Sequence, residues 1–287
     1  MCRRTQECVE MNIKKKLIGS RAFYAMVLGV VVPIMIQNGI TNFVSLLDNI
    51  MVGRVGTEQM SGIASVNQLL LVYNLAIFGA ISGAGIFGAQ FYGCKDHKGV
   101  QRTFRFKLYI CIALAVLGII VLLFGGEKLI GLYLHGEGNE EALEATLRYG
   151  RDYLLVMLTG LIPFTVEEIY ASTLRECGET KLPMTAGVTA VCVNLALNYI
   201  LIYGKLGAPA LGVVGAAVAT VISRYVQAFI VIFWTHTHAE RMPFIRGAYR
   251  EFSIPAGLAG NIVRKGTPLM VNEILWAAGI AILNQCY

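Results

Sequence analysis

Three polar residues that could do chemistry lie in the long apolar stretches of this 287-residue sequence. Asp48 closes the uncharged stretch 22–47, and Asn194 and Asn198 lie within the apolar stretch 182–204. The two asparagines are four residues apart, so they share one face if the stretch is helical. A carboxylate there could bind a proton or a small cation, and two amides could offer oxygen ligands or hydrogen bonds. The alternative is structural, with a helix-end carboxylate at an interface and amides that bond neighbouring helices.

The first stretch carries further polar residues, Gln37, Asn38 and Asn42. Asn38 and Asn42 are again four residues apart and share a helical face. Polar side chains in a bilayer usually face a cavity or a partner helix, because exposing them to lipid is unfavourable. We therefore predict that these three residues line a cavity, and we add Glu273, which follows Pro268 in the last apolar stretch.

The composition excludes a soluble globular protein and a disordered chain. Apolar residues make up 56% of the sequence, charged residues 15%, and the mean hydropathy is +0.62. Soluble domains contain about 45–50% apolar and about 25% charged residues. The net charge is +6, but the basic residues lie in short runs between apolar stretches. This pattern indicates a lipid bilayer as the partner, and no nucleic acid.

Seven apolar stretches are long enough to cross a bilayer, which takes about 20 helical residues. They cover residues 22–47, 59–94, 108–126, 153–171, 182–204, 206–234 and 267–287. Glu167 and Glu168 lie in the fourth stretch and Arg224 in the sixth. Adjacent glutamates point about 100° apart on a helix, so one of them could pair with Arg224. Residues 140–151 have helical spacing and extend the fourth span, whereas 128–134 are predicted to form a short, separate interfacial piece.

Positive charge is distributed unevenly between the two sides of the predicted spans. Eighteen Lys and Arg residues lie on the side of the N-terminus and five on the opposite side. The positive-inside rule therefore predicts a multi-pass protein of the plasma (inner) membrane with a cytoplasmic N-terminus. The first stretch is too long for a signal peptide, and no small-residue cleavage site follows it, so we predict a retained span.

Signals for other chemistries are missing from the sequence. All four histidines fall between the predicted spans, no His-Glu-x-x-His occurs, and no cysteine pair has Cys-x-x-Cys spacing. The sequence therefore predicts no catalytic residue, no metal site and no cofactor. Glycines such as Gly79, Gly83, Gly212 and Gly215 lack the following Lys-Ser/Thr of a phosphate-binding loop, and they predict close helix packing instead.

A short segment occurs twice. Residues 33–38 read PIMIQN and residues 268–273 read PLMVNE, each after a basic segment. Six predicted spans separate the starts of the two copies, so both would have the same orientation, as in the parallel repeats of some transporters. The sequence also stops in apolar residues. We therefore interpret it as one helical bundle followed by the first helix of a second, incomplete one.

Four segments resemble motifs of the MATE (multidrug and toxic compound extrusion) transporters. They are LDNIMVGRVG at 47–56, LRECGETKLPM at 174–184, NLALNY at 194–199 and GVVGAAVAT at 212–220. They occur in the family's order and at the family's spacing, and the resemblance covers nearly the whole chain.

The resemblance implies an all-α polytopic membrane fold of the MATE/MOP flippase type, with two six-helix lobes. It implies a cytoplasmic N-terminal segment at 1–21, an N-lobe of six transmembrane helices at 22–235, a cytoplasmic inter-lobe linker at 236–266 and the first helix of an incomplete C-lobe at 267–287. It also implies an antiporter that exports organic cations or drugs in exchange for protons or sodium by alternating access. The coupling ion takes the place of a cofactor, and the missing C-lobe is a required partner.

The resemblance also assigns roles. Asp48 matches the helix-one acid implicated in cation coupling, and Asn194 matches an asparagine of the N-lobe site. Asn198 stands where some branches of the family have aspartate, so this sequence lacks that second carboxylate. We take these three as cation-coupling residues. The substrate-cavity candidates are Gln37, Asn38, Asn42 and Glu273. The helix-one hinge is Pro33.

Alternatives to a drug antiporter remain. A lipid-linked oligosaccharide flippase of the same superfamily would share the lobes but tends to have a basic cavity, and here Arg224 is the only basic residue well inside a predicted span. An intramembrane enzyme built on Ser82 would lack a histidine base within the spans. A third possibility is that the chain transports nothing alone, because it is half of a two-lobe machine.

Overall fold

The computed structural model describes residues 19–53, 56–133, 140–250 and 253–286. Within these ranges the chain forms eight α-helices and one short 3₁₀ turn, and no strand. The helices are α1 (Arg21–Gly53), α2 (Thr57–Gly93), α3 (His97–Tyr133), α4 (Glu140–Thr159), α5 (Leu161–Glu176), α6 (Lys181–Tyr203), α7 (Gly212–Thr237) and α8 (Ala256–Cys286). The predicted all-α fold is confirmed. Most of the predicted N-terminal segment, 1–21, lies outside the described residues.

Six of the predicted spans are found as helices of membrane length and apolarity. Among the described residues, α1, α2, α3, α6 and α7 each meet this condition alone, and α4 and α5 meet it together as a pair bent by 46°. Large apolar side chains face outward on these helices, for example Phe124, which is 81% exposed. Such an exterior suits lipid rather than water. The seventh predicted span, 267–287, lies in α8 except for residue 287, which is outside the described part.

Several helices extend beyond the apolar stretches that predicted them. Helix α3 begins at His97 rather than Leu108 and includes residues 128–133, so the separate interfacial piece predicted at 128–134 is wrong. Helix α8 begins at Ala256 rather than Thr267. The physical reason is that apolarity ends at the bilayer edge, whereas Lys, Arg and Gln continue a helix well.

Proline explains the bend between α4 and α5. Pro163 has no N–H, so the Thr159 carbonyl loses its donor within the helix. The Tyr225 hydroxyl of α7 donates to that carbonyl at 3.3 Å. The chain therefore changes direction at Gly160, and a hydroxyl group from a neighbouring helix bonds the exposed carbonyl.

Helix α1 shows the same arrangement. Pro33 lies inside it and leaves the Gly29 carbonyl without a helical donor, and the Thr180 hydroxyl bonds that carbonyl at 3.4 Å. Thr180 can reach α1 because the preceding loop turns sharply at Gly178, whose φ of 81° favours glycine. The Glu179 N–H closes this turn by donating to the Leu174 carbonyl at 2.9 Å, as in a Schellman motif. The motif at 174–184 thus supports the proline of α1.

Glycines bring the helices close together, as predicted. A methyl group on Gly83 of α2 would lie 2.6 Å from Gly266 Cα of α8. On Gly62 it would lie 2.8 Å from the Thr146 carbonyl of α4, and on Gly215 it would lie 2.7 Å from the Leu201 carbonyl of α6. These backbone contacts have no room for a side chain, so α2 packs tightly against both α4 and α8.

Part of the predicted linker, 236–266, is packed onto the helical bundle. Met242, Phe244, Ile245 and Ala248 are buried in its core. Arg105 of α3 donates to the Ala248 carbonyl at 2.6 Å and to the Gly247 carbonyl at 2.9 Å. The buried apolar side chains and the bonded carbonyls explain why this polar-looking segment is ordered on the bundle rather than free.

Candidate functional site

Asp48, Asn194 and Asn198 lie together where α1 meets α6. Asn198 Nδ2 donates to Asp48 Oδ1 at 2.7 Å and to Asn194 Oδ1 at 3.1 Å. Val44 and Val52 lie four residues to either side of Asp48 and are buried, so this face of α1 is the one that packs inward. The structure therefore brings together the three residues that we predicted as cation-coupling residues.

The Asn194 amide can bond its neighbours in two orientations. In one, its oxygen accepts from Asn198 and its nitrogen donates to Thr220 Oγ1 at 3.2 Å. In the other, its nitrogen donates to Asp48 Oδ2 at 3.0 Å and its oxygen accepts from Thr220. The second orientation satisfies the carboxylate, because an amide nitrogen donates hydrogen bonds and an amide oxygen accepts them. Asn194 therefore lies within hydrogen-bond distance of Asp48.

Neutral partners surround this carboxylate. Within the described part of the chain, no Lys, Arg or His side chain forms an ion pair with Asp48, and its hydrogen-bond donors are amides. A carboxylate paired with an ammonium or guanidinium keeps its charge in place. The amide partners of Asp48 therefore bond its oxygens without neutralising its charge.

A polar cavity of about 260 Å³ opens beside Asp48. Helices α1, α2, α4, α6 and α7 form its walls. Its polar lining comprises Asp48, Asn49, Asn67, Asn74, Tyr153, Asn198, Thr220 and Arg224, and its apolar lining includes Ile63, Leu70 and Met157. A concave site with a few convergent polar groups in an apolar surround is typical of small-molecule binding.

Six of these eight polar lining residues did not appear among the predicted site residues: Asn49, Asn67, Asn74, Tyr153, Thr220 and Arg224. Asn67 and Asn74 lie seven residues apart on α2, which is two turns, so they share a face. Thr220 and Arg224 lie four residues apart on α7 and also share a face. Both spacings are readable in the sequence, but only the packing of α2 and α7 against α1 and α6 shows that the two faces meet.

The predicted substrate-cavity candidates do not join this cavity. Gln37 lies eleven residues before Asp48, which is about three turns, and it packs with α6 where a methyl group on Gly187 would meet its Nε2 at 2.7 Å. Asn38 and Asn42 point away from that face of α1 and are exposed. Glu273 is half-buried on α8 and is not part of the lining. Polar type alone therefore selected residues on more than one face.

A second carboxylate lies near the opposite end of α2. Glu176 at the end of α5 pairs with Lys107 of α3, whose side chain is fully buried. Lys107 Nζ also donates to the hydroxyl groups of Ser172 and Thr173, each at 3.2 Å. This group, called the Lys107 cluster below, ties α3 to α5.

The adjacent glutamates of α5 have different surroundings. Glu168 forms an ion pair with Arg175 at 3.6 Å. Glu167 is 2% exposed, and its Oε1 has no hydrogen-bond partner among the described residues. Neither glutamate forms an ion pair with Arg224 in the described part of the chain, so the pairing that the sequence suggested is not observed.

Helices of membrane length that enclose a polar cavity lined by a carboxylate define a polytopic membrane protein with space for a small molecule beside Asp48. A sequence profile of the family described as MatE matches residues 33–200, which is more than half of the chain. The chain therefore belongs to the MatE family of membrane transporters.

Similar proteins agree with this membership. A protein of Thermotoga maritima named probable multidrug resistance protein NorM is 28% identical over 250 residues, covering 86% of this chain and 51% of that protein. A namesake from Oceanobacillus iheyensis is 28% identical over 207 residues, covering 72% of this chain and 45% of its own length. A MOP superfamily transporter from Pyrococcus furiosus superposes with a TM-score of 0.74 at 23% identity, covering 87% of this chain and 52% of that one, which shows the fold. The chain thus spans about half the length of these relatives.

Proposed function

We propose that this chain supplies one lobe, residues 22–235, and the start of a second lobe of a secondary active transporter. The transporter exports organic cations or drugs in exchange for protons or sodium by alternating access. Membership of the MatE family, the names of the relatives and the share of their length that the chain covers support this proposal. The uneven distribution of basic residues supports a plasma membrane location with a cytoplasmic N-terminus.

One observation carries the proposal. Asp48 lines a polar cavity between helices of membrane length, and its partners are neutral amides. An ionisable side chain inside a membrane raises the free energy of the protein, so such residues are rare. Those that occur mark ion or substrate pathways.

Competition for this one carboxylate explains antiport. Asp48 can neutralise one positive charge at a time, either a coupling ion or the cationic group of a substrate. When a proton or sodium ion binds, Asp48 no longer attracts the substrate. Asn194 and Asn198 shape the ion site through their hydrogen bonds to Asp48.

Movement of α1 completes the cycle. Pro33 removes one helical hydrogen bond about four turns before Asp48, so α1 can bend there at a small cost in free energy. Bending near Pro33 shifts the helix segment that carries Asp48 relative to α6 and expels the substrate from the cavity.

Binding of rhodamine 123, a lipophilic fluorescent cation, tests the proposal. The full chain is purified in phosphatidylcholine nanodiscs, and binding is followed by fluorescence polarisation while pH and sodium concentration are varied separately. Wild-type protein should release the dye when either the proton concentration or the sodium concentration is raised, whichever ion is coupled. Asp48→Asn should bind it at least tenfold more weakly and lose that dependence.

Asp152→Asn is the matched control, because it removes the same charge from an exposed position on α4. It should bind and release the dye like the wild type. Unchanged affinity and unchanged ion dependence in Asp48→Asn would contradict the proposed role of this residue.

A further inference from the structure

The packed part of the linker, residues 239–250, has two different faces. On one face, Met242 and Phe244 are buried in the core of the bundle. The other face carries three exposed arginines, Arg241, Arg246 and Arg250. The proposed transport cycle does not involve these arginines, so they require a separate explanation.

Hydrogen bonds fix this segment beside the start of α3. Gln101 of α3 donates to the Phe244 carbonyl at 3.3 Å and to the Arg246 carbonyl at 2.8 Å. Lys98 and Arg102 lie four residues apart on α3, so they share a helical face, and both are exposed. Both also lie within one helical turn of Gln101 and thus beside the attached segment. These two residues of α3 and the three linker arginines form one surface, called the basic surface below.

Little of this positive charge is neutralised by the protein. Glu240 forms an ion pair with Arg246 at 3.5 Å, and both side chains are exposed, so the pair is weak. Asp96 accepts the Gly99 N–H at 2.9 Å at the start of α3. Arg241 and Arg250 form no ion pair within the described ranges. The five basic residues of the surface therefore outnumber these two acids.

Aromatic side chains surround the attached segment. The Trp234 ring, at the end of α7, stacks on His238 with the ring centres 4.4 Å apart. The His238 carbonyl accepts the Arg241 N–H at 2.9 Å, so Trp234 lies beside the first arginine of the segment. Tyr249 is 43% exposed, although its hydroxyl bonds that of Tyr170. Half-buried Trp and Tyr side chains at the ends of spans are typical of the depth of lipid headgroups.

The chemistry of the basic surface fits a phosphate group at this depth. The planar N–H groups of arginine match phosphate oxygens with two parallel hydrogen bonds. Clusters of basic residues next to a membrane span also attract anionic lipids electrostatically.

We propose that the basic surface binds the phosphate groups of anionic phospholipids, of which phosphatidylglycerol is the simplest, in the leaflet on the side of the N-terminus. The bound lipid holds residues 239–250 against the bundle from the outside, as Gln101 and Arg105 do from the inside. This inference goes beyond the proposed transport function and does not depend on Asp48.

Fluorescence quenching by brominated lipids tests the inference. The sequence contains two tryptophans, and Trp276→Phe leaves Trp234 as the single fluorophore. The full chain with this change is placed in vesicles of equal parts phosphatidylcholine and phosphatidylglycerol, with bromine on the acyl chains of one lipid or the other. Brominated phosphatidylglycerol should quench Trp234 at least twofold more strongly than brominated phosphatidylcholine, because the basic surface enriches the anionic lipid around it.

Two triple variants separate the basic surface from the net charge of the protein. The first, Arg241→Gln/Arg246→Gln/Arg250→Gln, should bring the ratio of the two quenching values close to one. The matched control, Lys128→Gln/Arg148→Gln/Arg151→Gln, removes the same charge from exposed positions at the opposite end of the bundle and should keep the ratio.

A third variant, Arg241→Lys/Arg246→Lys/Arg250→Lys, keeps the charge and should keep at least half of the preference. It also decides the matter if the glutamine variant fails to give a monodisperse protein, since a ratio of one would then contradict recognition by charge.

Equal quenching of Trp234 by the two lipids, before any arginine is changed, would overturn the inference. Loss of the preference in the control variant would also overturn it, because net charge alone would then explain the effect. If inorganic phosphate abolishes the preference at an ionic strength where chloride does not, the surface binds free anions and its assignment to lipid is wrong.

Discussion

Asp48 and Glu176 are two carboxylates placed at opposite ends of the same helical bundle, and their partners differ. Glu176 faces the buried ammonium group of Lys107, which two hydroxyl groups also bind. Asp48 faces neutral amides and a cavity of about 260 Å³. An ammonium partner fixes the charge of a buried carboxylate, whereas amides hold its geometry and leave its charge exchangeable.

The two carboxylates also differ in how accessible they are to a ligand. Glu176 lies against Gly85 and Gly88 of α2, where a methyl group would meet its oxygens at 2.8 Å and 2.1 Å. No ion or ligand could enter between these atoms. The comparison teaches that two acids in similar helices can have opposite surroundings, one tied to an ammonium group and closed in, the other bonded to amides and open to a cavity.

The largest expected effect is loss of stability when the Lys107 cluster is broken. Lys107→Met leaves Glu176 buried without its partner, which typically reduces the free energy of unfolding by about 3–5 kcal/mol. Denaturation by sodium dodecyl sulfate in mixed micelles measures it. The double variant Lys107→Met/Glu176→Leu should recover most of this loss, because an apolar pair often replaces a buried ion pair without penalty. A loss below about 1 kcal/mol in the single variant would show that the tie is not structural.

A smaller loss is expected when Glu176 is displaced sterically. Gly88→Ala places a methyl group 2.1 Å from Glu176 Oε2, and overpacking of this kind reduces stability by about 1–3 kcal/mol. Gly93→Ala is the matched control, since nothing lies within 4 Å of its added methyl group. The same denaturation experiment compares the two. Equal stability of both variants would mean that the carboxylate can move aside freely.

Asp48→Asn should change the free energy of unfolding by less than about 1 kcal/mol, which is the worth of a typical net hydrogen bond. The amide is nearly the same size as the carboxylate and can still bond the asparagines of α6. Binding of rhodamine 123 should nevertheless weaken at least tenfold. A stability loss as large as that of Lys107→Met would remove the distinction between the two carboxylates.

The smallest effect concerns a thiol beside the Lys107 cluster. Burial raises the pKa of Cys177 to about 12, so at pH 8 it contains little reactive thiolate. In a variant that keeps only Cys177 and the exposed Cys94, maleimide should label Cys177 at least tenfold more slowly. Adding Lys107→Met removes a positive charge that lowers the pKa of Cys177, so it should slow labelling further, whereas adding Asp48→Asn should leave the rate unchanged. Similar labelling rates for the two thiols would contradict the tight packing around Glu176.

Much of the Asp48 site was predictable from the sequence. Asp48 is the sole acid at the end of an uncharged stretch, and Asn194 and Asn198 show helical spacing inside another. These are properties of single helices. Arg224 was visible as an intramembrane charge, but its place in the lining of the Asp48 cavity depends on how α7 packs against α1 and α2.

The Lys107 cluster was not predictable in this way. Lys107 follows a run of basic residues, so we assigned it to a solvated loop and counted it toward the orientation of the chain. The structure places it inside α3 and fully buried. A hydropathy profile treats Lys107 as the boundary of a span. It does not include the partner of this lysine, Glu176, which lies 69 residues away in the sequence. Asn38 and Asn42 lie on an exposed face of α1, away from the cavity beside Asp48, and their place in a substrate cavity stays a prediction.

The contact between Thr180 and Gly29 sets the mechanical character of α1. A hydroxyl–carbonyl bond of 3.4 Å contributes about 0.5–1.5 kcal/mol, which is comparable with thermal energy. Breaking this contact is therefore inexpensive, and the contact offers little resistance to bending of α1 at Pro33. Thr180, in the loop between α5 and α6, thus adds only a weak restraint to the helix that carries Asp48.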